Sequence, residues 1–412
     1  MTTRVVILAA LAAGGAMMVG LFVGNLEGGP GISDTPVYRL YGEKLSGGEI
    51  PYRDFGVEYP PGSLIPFVIP ALLSSTPSGY DAAFRPLMIF SLAAASVLIV
   101  ISLQALRAPT RRLAFSLGAF WGGLALLGPF LMTRFDIFAA TITLGAVCAI
   151  LHRRSRLGPV LLGLAIATKI YPAVLLPLLV TRAGRQGGRP AALRALALSL
   201  GTVALVYLPF LLLAPAGVGR SLWRQVGRPL QIESLGASVL LALHHAFGMP
   251  LAWASGAGSQ NLTGTVASVA SGVSALVATG AIVLVWLRFA RGDAVGNAEF
   301  ACYAAAAAVA FVAFGKVTSP QFLAWLLAAV VLVPGRRGLL AMGLLVAACG
   351  LTRLWFPRTY WELVKEFDPT SSWLLLGRDL LLVAVFVTLV GLRRREKPDR
   401  HRRSTAREPG RA

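Results

Sequence analysis

Long apolar runs alternate with short basic clusters along the 412 residues of this chain. Many of the runs approach the roughly 20 residues that a helix needs to cross a bilayer. This pattern predicts about ten transmembrane spans, at 5–26, 83–106, 113–131, 135–151, 192–214, 262–289, 297–314, 321–334, 338–352 and 373–392. The expected fold class is an all-α polytopic membrane protein, with a single transmembrane domain over 1–392.

The composition supports a membrane protein, because 56% of the residues are hydrophobic and only 14% are charged. The net charge of +20 would suit nucleic acid, but the basic residues are spread in short clusters between the apolar runs. Lys and Arg beside spans stay in the cytoplasm, so these clusters set the orientation. We expect a multi-pass protein of the inner (plasma) membrane, with both termini cytoplasmic and no nucleic-acid partner.

Each end of the chain has its own signal. The first apolar run is long for a signal peptide, and we interpret it as an uncleaved first span. The last segment, 393–412, is charged and lacks apolar periodicity. We expect it to be a disordered basic cytoplasmic tail that is attracted to anionic lipid.

One apolar segment, 157–181, lies between two basic clusters of cytoplasmic type, 153–156 and 182–189. Each half of this segment, before and after Lys169, has about 12 residues and reaches about half way across a bilayer. We therefore predict a re-entrant helical hairpin.

Most carboxylates fall on the external side of this map, so any chemistry is expected to face outward. The first external loop, 27–82, is far longer than an ordinary connection, and such loops are often functional. Its apolar second half, 62–75, is too short to span and favours a helix in the membrane interface. A second external loop, 215–261, has helical periodicity over 234–247.

Cysteine and histidine patterns predict no bound cofactor. The three cysteines lie inside apolar runs, and the four histidines lack the spacing of a zinc or haem site. Isolated carboxylates in separate loops are weak evidence for a divalent metal, so that question stays open.

Five short motifs lie in order along the chain: DTPVY (34–38), GEIPYRDFGVEYPPGS (48–63), RFDIFAA (134–140), GLAIATKIYP (163–172) and GKVTSPQFLAW (315–325). Together with the first span, they resemble the GT-C glycosyltransferases, most closely the family 87 polyprenyl-phosphomannose-dependent mannosyltransferases. The resemblance implies a GT-C-like bundle. It also implies an enzyme that moves a sugar, expected to be mannose, from a polyprenyl-phosphate carrier to a hydroxyl of a lipid-linked or glycan acceptor on the external face.

Such a transfer has two chemical needs. A carboxylate must accept the proton of the attacking hydroxyl, and cations must stabilise the departing lipid phosphate. The sequence shows neither a nucleotide-binding glycine loop nor a soluble catalytic domain, which fits a donor that arrives through the membrane. The expected partners are the bilayer, the polyprenyl-phosphate sugar and the acceptor.

Four acids are candidate catalytic residues. Asp34 is the first choice for the base, because the resemblance places a key acid in this part of the first external loop; the alternative is a helix N-cap before Pro36. Asp54 and Glu58 are further candidates, each with a structural pairing role as the alternative. Asp136 would be a second acid at the external end of a span, or else a partner in a surface ion pair.

Four residues are candidates for binding the donor phosphate. Lys169 lies at membrane depth, where an ionisable group usually marks a pathway or a buried partner; it would bind phosphate or hold the hairpin apex. Lys316 and Gln321 lie where a late span begins, and the alternative for Lys316 is snorkelling to the interface. Arg134 completes this group.

Four more residues are candidates for binding the sugar or acceptor: Tyr38, Tyr59, His244 and His245. Sugars commonly need aromatic faces beside carboxylates, so we interpret the segment 49–63 as a carbohydrate-handling lid. The alternative for each histidine is an ordinary structural role.

Two other functional classes remain open. A lipid or sugar transporter, or a flippase, would have a similar number of spans, but such proteins often contain inverted repeats, and none is visible. A non-catalytic partner in envelope synthesis would keep the same topology as an enzyme.

Overall fold

The fold is a helical bundle, described by a computed structural model for residues 3–25, 32–292 and 296–391. The predicted tail, 393–412, lies outside the described residues. The helices are α1 (Thr3–Asn25), α2 (Thr35–Ser46), α3 (Leu64–Leu73), α4 (Pro77–Ala105), α5 (Thr110–Leu127), α6 (Asp136–Leu151), α7 (Leu157–Thr168), α8 (Leu176–Leu213), α9 (Pro215–Val226), α10 (Leu235–Phe247), α11 (Thr265–Arg291), α12 (Asn297–Ala313), α13 (Phe322–Val330), α14 (Gly335–Trp355), α15 (Tyr360–Glu366) and α16 (Pro369–Val390). Short 3-10 helices cover Pro61–Ser63, Pro129–Thr133 and Tyr171–Leu175, and two strands are β1 (Ala252–Gly256) and β2 (Ser259–Thr263).

Six helical segments in the described part of the chain are long and apolar enough to cross a membrane. They are Arg4–Phe22, Pro77–Ala105, Tyr171–Leu213, Thr265–Arg291, Gly335–Trp355 and Pro369–Val390. The predicted class of helical membrane protein is therefore confirmed, while the predicted count of ten spans is not. Other expected spans are shorter helices, because α6 has 16 residues, α12 has 17 and α13 has 9. A 16-residue helix is about 24 Å long, against a hydrocarbon core of about 30 Å.

A two-stranded antiparallel hairpin, β1 to β2, is the exception to the all-α prediction. Its two-residue turn consists of Ala257 and Gly258, whose positive φ angles of 51° and 69° match the twist of the paired strands. β2 also bonds to the chain before α10, where Ile232 N donates to Gln260 O at 3.0 Å. The hairpin thereby positions the residue that follows, Glu233.

The segment predicted as a re-entrant hairpin folds as α7 and the first part of α8, with Lys169 and a 3-10 turn between them, while its re-entry into the membrane stays a prediction. Its apex meets the start of α6, because Lys169 Nζ lies 2.6 Å from the carboxylate of Asp136. The sequence map placed the apex half way across the bilayer and Asp136 at the external face. The ion pair puts both at one depth, so these two predictions cannot both hold.

α8 is two helical pieces joined at Gly187 and Gly188. Gly188 has a φ of +71° and Gly187 a φ of −145°, neither of which is helical. Only glycine adopts the first of these readily, so the pair separates the short hairpin half from the apolar helix that ends at Leu213.

The acidic segment 49–63 is held against α9. Ser221 Oγ donates to Val57 O at 2.8 Å, and Gln225 Nε2 donates to Glu58 O at 2.7 Å. These bonds bind the backbone of the segment rather than its carboxylates. The segment therefore forms a fixed wall, and the predicted lid is anchored in this structure.

Two glycines let neighbouring elements approach this segment closely. A Cβ at Gly217 of α9 would lie 1.8 Å from Tyr52 O. A Cβ at Gly62 would lie 2.7 Å from Ala167 O at the end of α7. The segment is thus wedged between α9 and the end of α7.

The bundle packs through long helix pairs. α1 packs on α4, α14 packs on α16, and α6 lies between α4 and α7. Five consecutive alanines of α12, residues 304–308, are all buried. Small side chains of this kind allow helix backbones to approach closely in a membrane protein.

We predict that Gly217→Val destabilises the protein, because the new side chain overlaps the carbonyl of Tyr52 and pushes α9 outward. Overpacking of this kind costs about 1–3 kcal/mol, which should lower the thermal unfolding midpoint in detergent. The matched control is Gly219→Val, since a Cβ at Gly219 meets nothing within 4 Å. Equal midpoints for the two variants would contradict the close approach of α9 to segment 49–63.

Candidate active site

Asp34 immediately precedes α2, but its side chain makes no capping hydrogen bond to that helix. Its carboxylate forms an ion pair with Arg134 and accepts a hydrogen bond from Tyr38 Oη at 3.3 Å. The N-cap alternative for the Asp34 side chain is therefore not observed. The carboxylate is also reachable, because 31% of the side chain is exposed.

Asp136 and Lys169 form a second ion pair, with 2.6 Å between carboxylate and ammonium. Their side chains are only 1% and 13% exposed. The ammonium also lies over aromatic rings, 4.3 Å from the centroid of Phe135 and 4.8 Å from that of Trp325. Such faces stabilise a cation that has left water. The surface-pair alternative for Asp136 is wrong, because the residue is buried and its partner is Lys169.

The two ion pairs are neighbours, since Arg134 and Asp136 are two residues apart where α6 begins. We refer to Asp34, Arg134, Asp136 and Lys169 as the charge cluster. It joins three distant parts of the chain: the start of α2, the start of α6 and the hairpin apex. Removing one partner of a buried pair leaves an uncompensated charge, so each pair holds its two segments together.

Glu233 and Arg228 border the charge cluster, although the sequence reasoning did not select them. Glu233 is 2% exposed and lies within electrostatic reach of Arg134. Burial raises the pKa of the Glu233 carboxyl to about 7. Arg228 lies within electrostatic reach of both Glu58 and Glu233. The available sequence signal was an acid that follows an arginine inside the long segment 215–261.

The position of Glu233 is set by its neighbours. Gln231 Nε2 donates to its carboxylate, and Arg378 Nη2 donates to its backbone oxygen at 2.6 Å. Arg378 is fully buried and pairs with Asp379 at 2.9 Å. Ser234 caps α10 through its side chain, so the helix begins at Leu235, two residues after Glu233.

Four buried polar atoms around the charge cluster have no hydrogen-bond partner among the described residues. They are Arg134 Nε, Arg228 Nε, Asp136 Oδ2 and Glu233 Oε1. Such atoms are rare in native proteins, because an unmet buried donor or acceptor costs free energy. The two donors suit an anionic oxygen, and the two acceptors suit hydroxyl groups.

Tyr38 and Tyr59 form part of an aromatic wall beside Asp34. Their ring centroids are 5.9 Å apart in an edge-to-face arrangement. Tyr38 also stacks on Phe67 at 4.3 Å and is 1% exposed. The prediction that Tyr38 offers its ring to a sugar is wrong, because that ring is covered; its hydroxyl bonds to Asp34 instead. For Tyr59, sugar binding stays a prediction.

Glu58 lies against the turn of the β-hairpin, where a Cβ at Gly258 would be 2.7 Å from Glu58 Oε2. It is half-buried at the edge of the site, and Arg228 is the cation within its electrostatic reach. The structure thus brings Glu58 near the charge cluster without placing it in either ion pair. A catalytic role for it stays a prediction.

Asp54 is outside the site. Its carboxylate accepts a hydrogen bond from Ile50 N at 2.7 Å and pairs with the adjacent Arg53 at 2.9 Å. Both groups are exposed and shape a local turn. The catalytic assignment of Asp54 is wrong, and the structural alternative is correct.

His244 and His245 have different surroundings. They lie at the end of α10, about 14 Å along the helix from its first residue, Leu235. His244 Nδ1 shares a hydrogen bond with Met249 O at 2.6 Å, and the His245 ring centroid lies 6.5 Å from that of Trp373. The structural alternative accounts for His244. His245 Nε2 is buried without a hydrogen-bond partner in the described part of the chain, so sugar or acceptor binding by His245 stays a prediction.

Lys316 and Gln321 make local contacts. Lys316 Nζ donates to Val226 O at 2.8 Å, where α9 ends. Gln321 accepts a hydrogen bond from Ser319 Oγ just before α13. Phosphate binding by either residue stays a prediction.

The arrangement of the acidic side chains bears on whether the site could hold a divalent metal. Over residues 3–25, 32–292 and 296–391, no group of three or more His, Cys, Asp or Glu side chains could hold a metal ion. In the charge cluster, each acid pairs with a cation rather than with a second acid.

Comparisons with known proteins give a family and a similar structure. Residues 58–314, more than half of the chain, match the sequence model of glycosyltransferase family 87. The structure is similar to the crystal structure of ArnT from Cupriavidus metallidurans bound to undecaprenyl phosphate, with a TM-score of 0.49, 15% sequence identity and coverage of 95% of this chain and 77% of that chain. Among curated protein sequences, none matches significantly.

We predict that Lys169→Met lowers the thermal unfolding midpoint strongly, because Asp136 is left buried without its partner. Breaking a buried pair costs about 3–5 kcal/mol. The double variant Lys169→Met/Asp136→Leu should be more stable than the single variant, since no lone charge remains. Additive losses in the double variant would show that the two side chains do not depend on each other.

A second prediction concerns pH. The pKa of Glu233 rises on folding from 4.5 to about 7, so the folded state holds a proton that the unfolded state releases between these values. The stability that this proton contributes is present at low pH and is lost as the pH rises through this window. The free energy of unfolding of the wild type should therefore fall relative to that of Glu233→Gln as the pH rises from about 4.5 to about 7, by about 3 kcal/mol. If the free energies of unfolding of the two proteins change in parallel with pH, this prediction is wrong.

Proposed function

The chain belongs to glycosyltransferase family 87, and from this we propose that it transfers mannose from a polyprenyl-phosphate carrier to a hydroxyl of a lipid-linked or glycan acceptor. The protein is a membrane glycosyltransferase. The sugar and the lipid-carrier donor are proposals that follow from the family, and the residue roles given below are proposals that rest on the chemistry of the charge cluster.

The observation that carries the proposal is the different exposure of the three acids at the site. Asp34 is 31% exposed, whereas Asp136 and Glu233 are 1% and 2% exposed. Only a reachable carboxylate can approach the hydroxyl of an acceptor within hydrogen-bond distance. We therefore assign the general base to Asp34, which would take the proton as the hydroxyl oxygen attacks the anomeric carbon.

The departing group is a lipid phosphate, whose growing negative charge needs cations. Arg134 and Arg228 each have a buried Nε without a hydrogen-bond partner in the described part of the chain. Guanidinium groups suit phosphate oxygens, because their donors form a planar fork. Both would bind the phosphate, with the Lys169 ammonium nearby.

Asp136 acts in this proposal as a positioning residue. Its carboxylate holds Lys169 at 2.6 Å and so fixes the hairpin apex beside α6. Because it is buried and paired, it would orient the cation rather than take a proton from the acceptor.

The proposed orientation puts the site on the external face. The charge cluster is at the start of α6, and the clustered arginines 153, 154 and 156 follow its end. If the basic end is cytoplasmic, as the distribution of Lys and Arg predicts, the charge cluster faces outward. Both termini would then be in the cytoplasm and the protein in the inner membrane.

The test is sugar transfer by the purified protein in nanodiscs, with synthetic polyprenyl-phosphate mannose and a lipid-glycan extract as acceptor. We predict that Asp34→Asn lowers the transfer rate by about 10²–10⁴-fold, the usual contribution of acid–base catalysis. The matched control is Asp54→Asn, an exposed acid of the same loop region, which should transfer at the wild-type rate.

Equal rates for wild type and Asp34→Asn would exclude Asp34 as the base. If wild type consumes no donor, yet moves a lipid or sugar across the membrane, the protein is a transporter or flippase. If it neither consumes the donor nor moves a lipid or sugar, the protein is a non-catalytic partner in envelope synthesis. Thermal midpoints of all variants separate loss of chemistry from loss of fold.

A further inference from the structure

A large cleft lies at the opposite end of α6 from the charge cluster. It has a volume of about 860 Å³ and is bordered by α1, α4, α6 and α7. The 16 residues of α6 separate this end from Asp136 by about 24 Å. The cleft is therefore distinct from the candidate active site, and its size is typical of ligand pockets, about 300–1,000 Å³.

The wall of the cleft is apolar. Leu98, Gly145 and Leu161 lie along it. A Cβ at Gly145 would be 3.8 Å from a methyl carbon of each of these leucines, so glycine keeps this part of the wall open. A surface of this kind suits a hydrocarbon chain.

The mouth of the cleft is basic. Arg4, Arg107 and Arg154 line it, and no Asp or Glu does so in the described part of the chain. None of the three arginines belongs to an ion pair among the described residues. We refer to this feature as the basic cleft.

Two arginines next to the mouth have an unusual backbone conformation. Arg107 follows α4 and Arg153 follows α6, with positive φ angles of 54° and 57°. This position after a helix is usually glycine, because a Cβ is strained there. Asn297 Nδ2 donates to Ala105 O and Leu151 O, both at 3.0 Å, which holds the two helix ends side by side. Arginine stands at both positions although its backbone is strained there, which favours a functional role for the two side chains.

We infer that the basic cleft binds an anionic phospholipid, with the phosphate at the arginines and an acyl chain along the apolar wall. Basic pockets between membrane helices on the cytoplasmic side are suited to anionic headgroups. The chain's own tail, 393–412, is an unsuitable occupant, because it is itself rich in arginine. The inference does not depend on the proposed transferase activity, which uses the other end of α6.

The test is native mass spectrometry of the purified full chain with added phosphatidylglycerol or phosphatidylcholine. Wild type should bind one phosphatidylglycerol at least about tenfold more tightly than phosphatidylcholine. The variant Arg107→Gln/Arg154→Gln should bind phosphatidylglycerol about 10- to 30-fold more weakly, as expected for two lost cations near a headgroup. Its affinity for phosphatidylcholine should be unchanged.

Two further variants separate the cleft from the general basic surface. The double variant Arg111→Gln/Arg156→Gln removes the same charge from neighbouring residues that do not line the cleft, and it should keep the wild-type affinity. Gly145→Leu fills the apolar wall without changing charge, and it should lose the lipid.

The inference is wrong if the two lipids bind equally to wild type, or if the control double variant loses as much affinity as the cleft double variant. It is also wrong if Gly145→Leu retains phosphatidylglycerol, because the headgroup would then bind the surface alone. Displacement of phosphatidylglycerol by a polyprenyl phosphate at equal concentration would assign the cleft to the lipid carrier instead.

Discussion

Charge that is buried in an apolar protein must be paired, and the ion pair between Asp136 and Lys169 is where this constraint acts most strongly. Both groups are almost fully removed from solvent, and their ionic atoms are 2.6 Å apart. A buried charge without its partner is costly, so the segment around Lys169 cannot leave the start of α6 without leaving one partner unpaired. The rest of the site is built outward from this contact.

Around this pair, the chain brings together groups that the proposed reaction needs. Arg134, two residues from Asp136, binds the exposed carboxylate of Asp34. Glu233 reaches the same place because β2 fixes the backbone before it and Ser234 starts α10 after it. A partly exposed acid therefore lies beside buried arginines that have N–H donors without hydrogen-bond partners. A hydroxyl nucleophile needs such an acid, and a phosphate leaving group needs such cations.

The sequence predicted much of this architecture, and its failures have physical reasons. Hydropathy and basic clusters indicated the helical membrane class and the segment that became α7 and α8, since both depend on local composition. The pairing of Asp136 with Lys169 depends on tertiary packing, which single residues do not reveal. Asp54 and His244 were selected by residue type and loop position, and each proved to have a local hydrogen-bond partner. The β-hairpin was missed because its Ala257-Gly258 turn lacks the usual Asn-Gly or Asp-Gly signal.

The central claim is that the charge cluster receives the phosphate of a lipid carrier. It is tested most directly by the equilibrium affinity of a short-chain polyprenyl phosphate for wild type, Arg134→Gln and the exposed control Arg53→Gln. The account predicts that Arg134→Gln binds at least about tenfold more weakly, as expected for a lost charge-assisted hydrogen bond, while Arg53→Gln binds like wild type. The same affinity for all three proteins, measured at a temperature at which each is folded, would contradict the account.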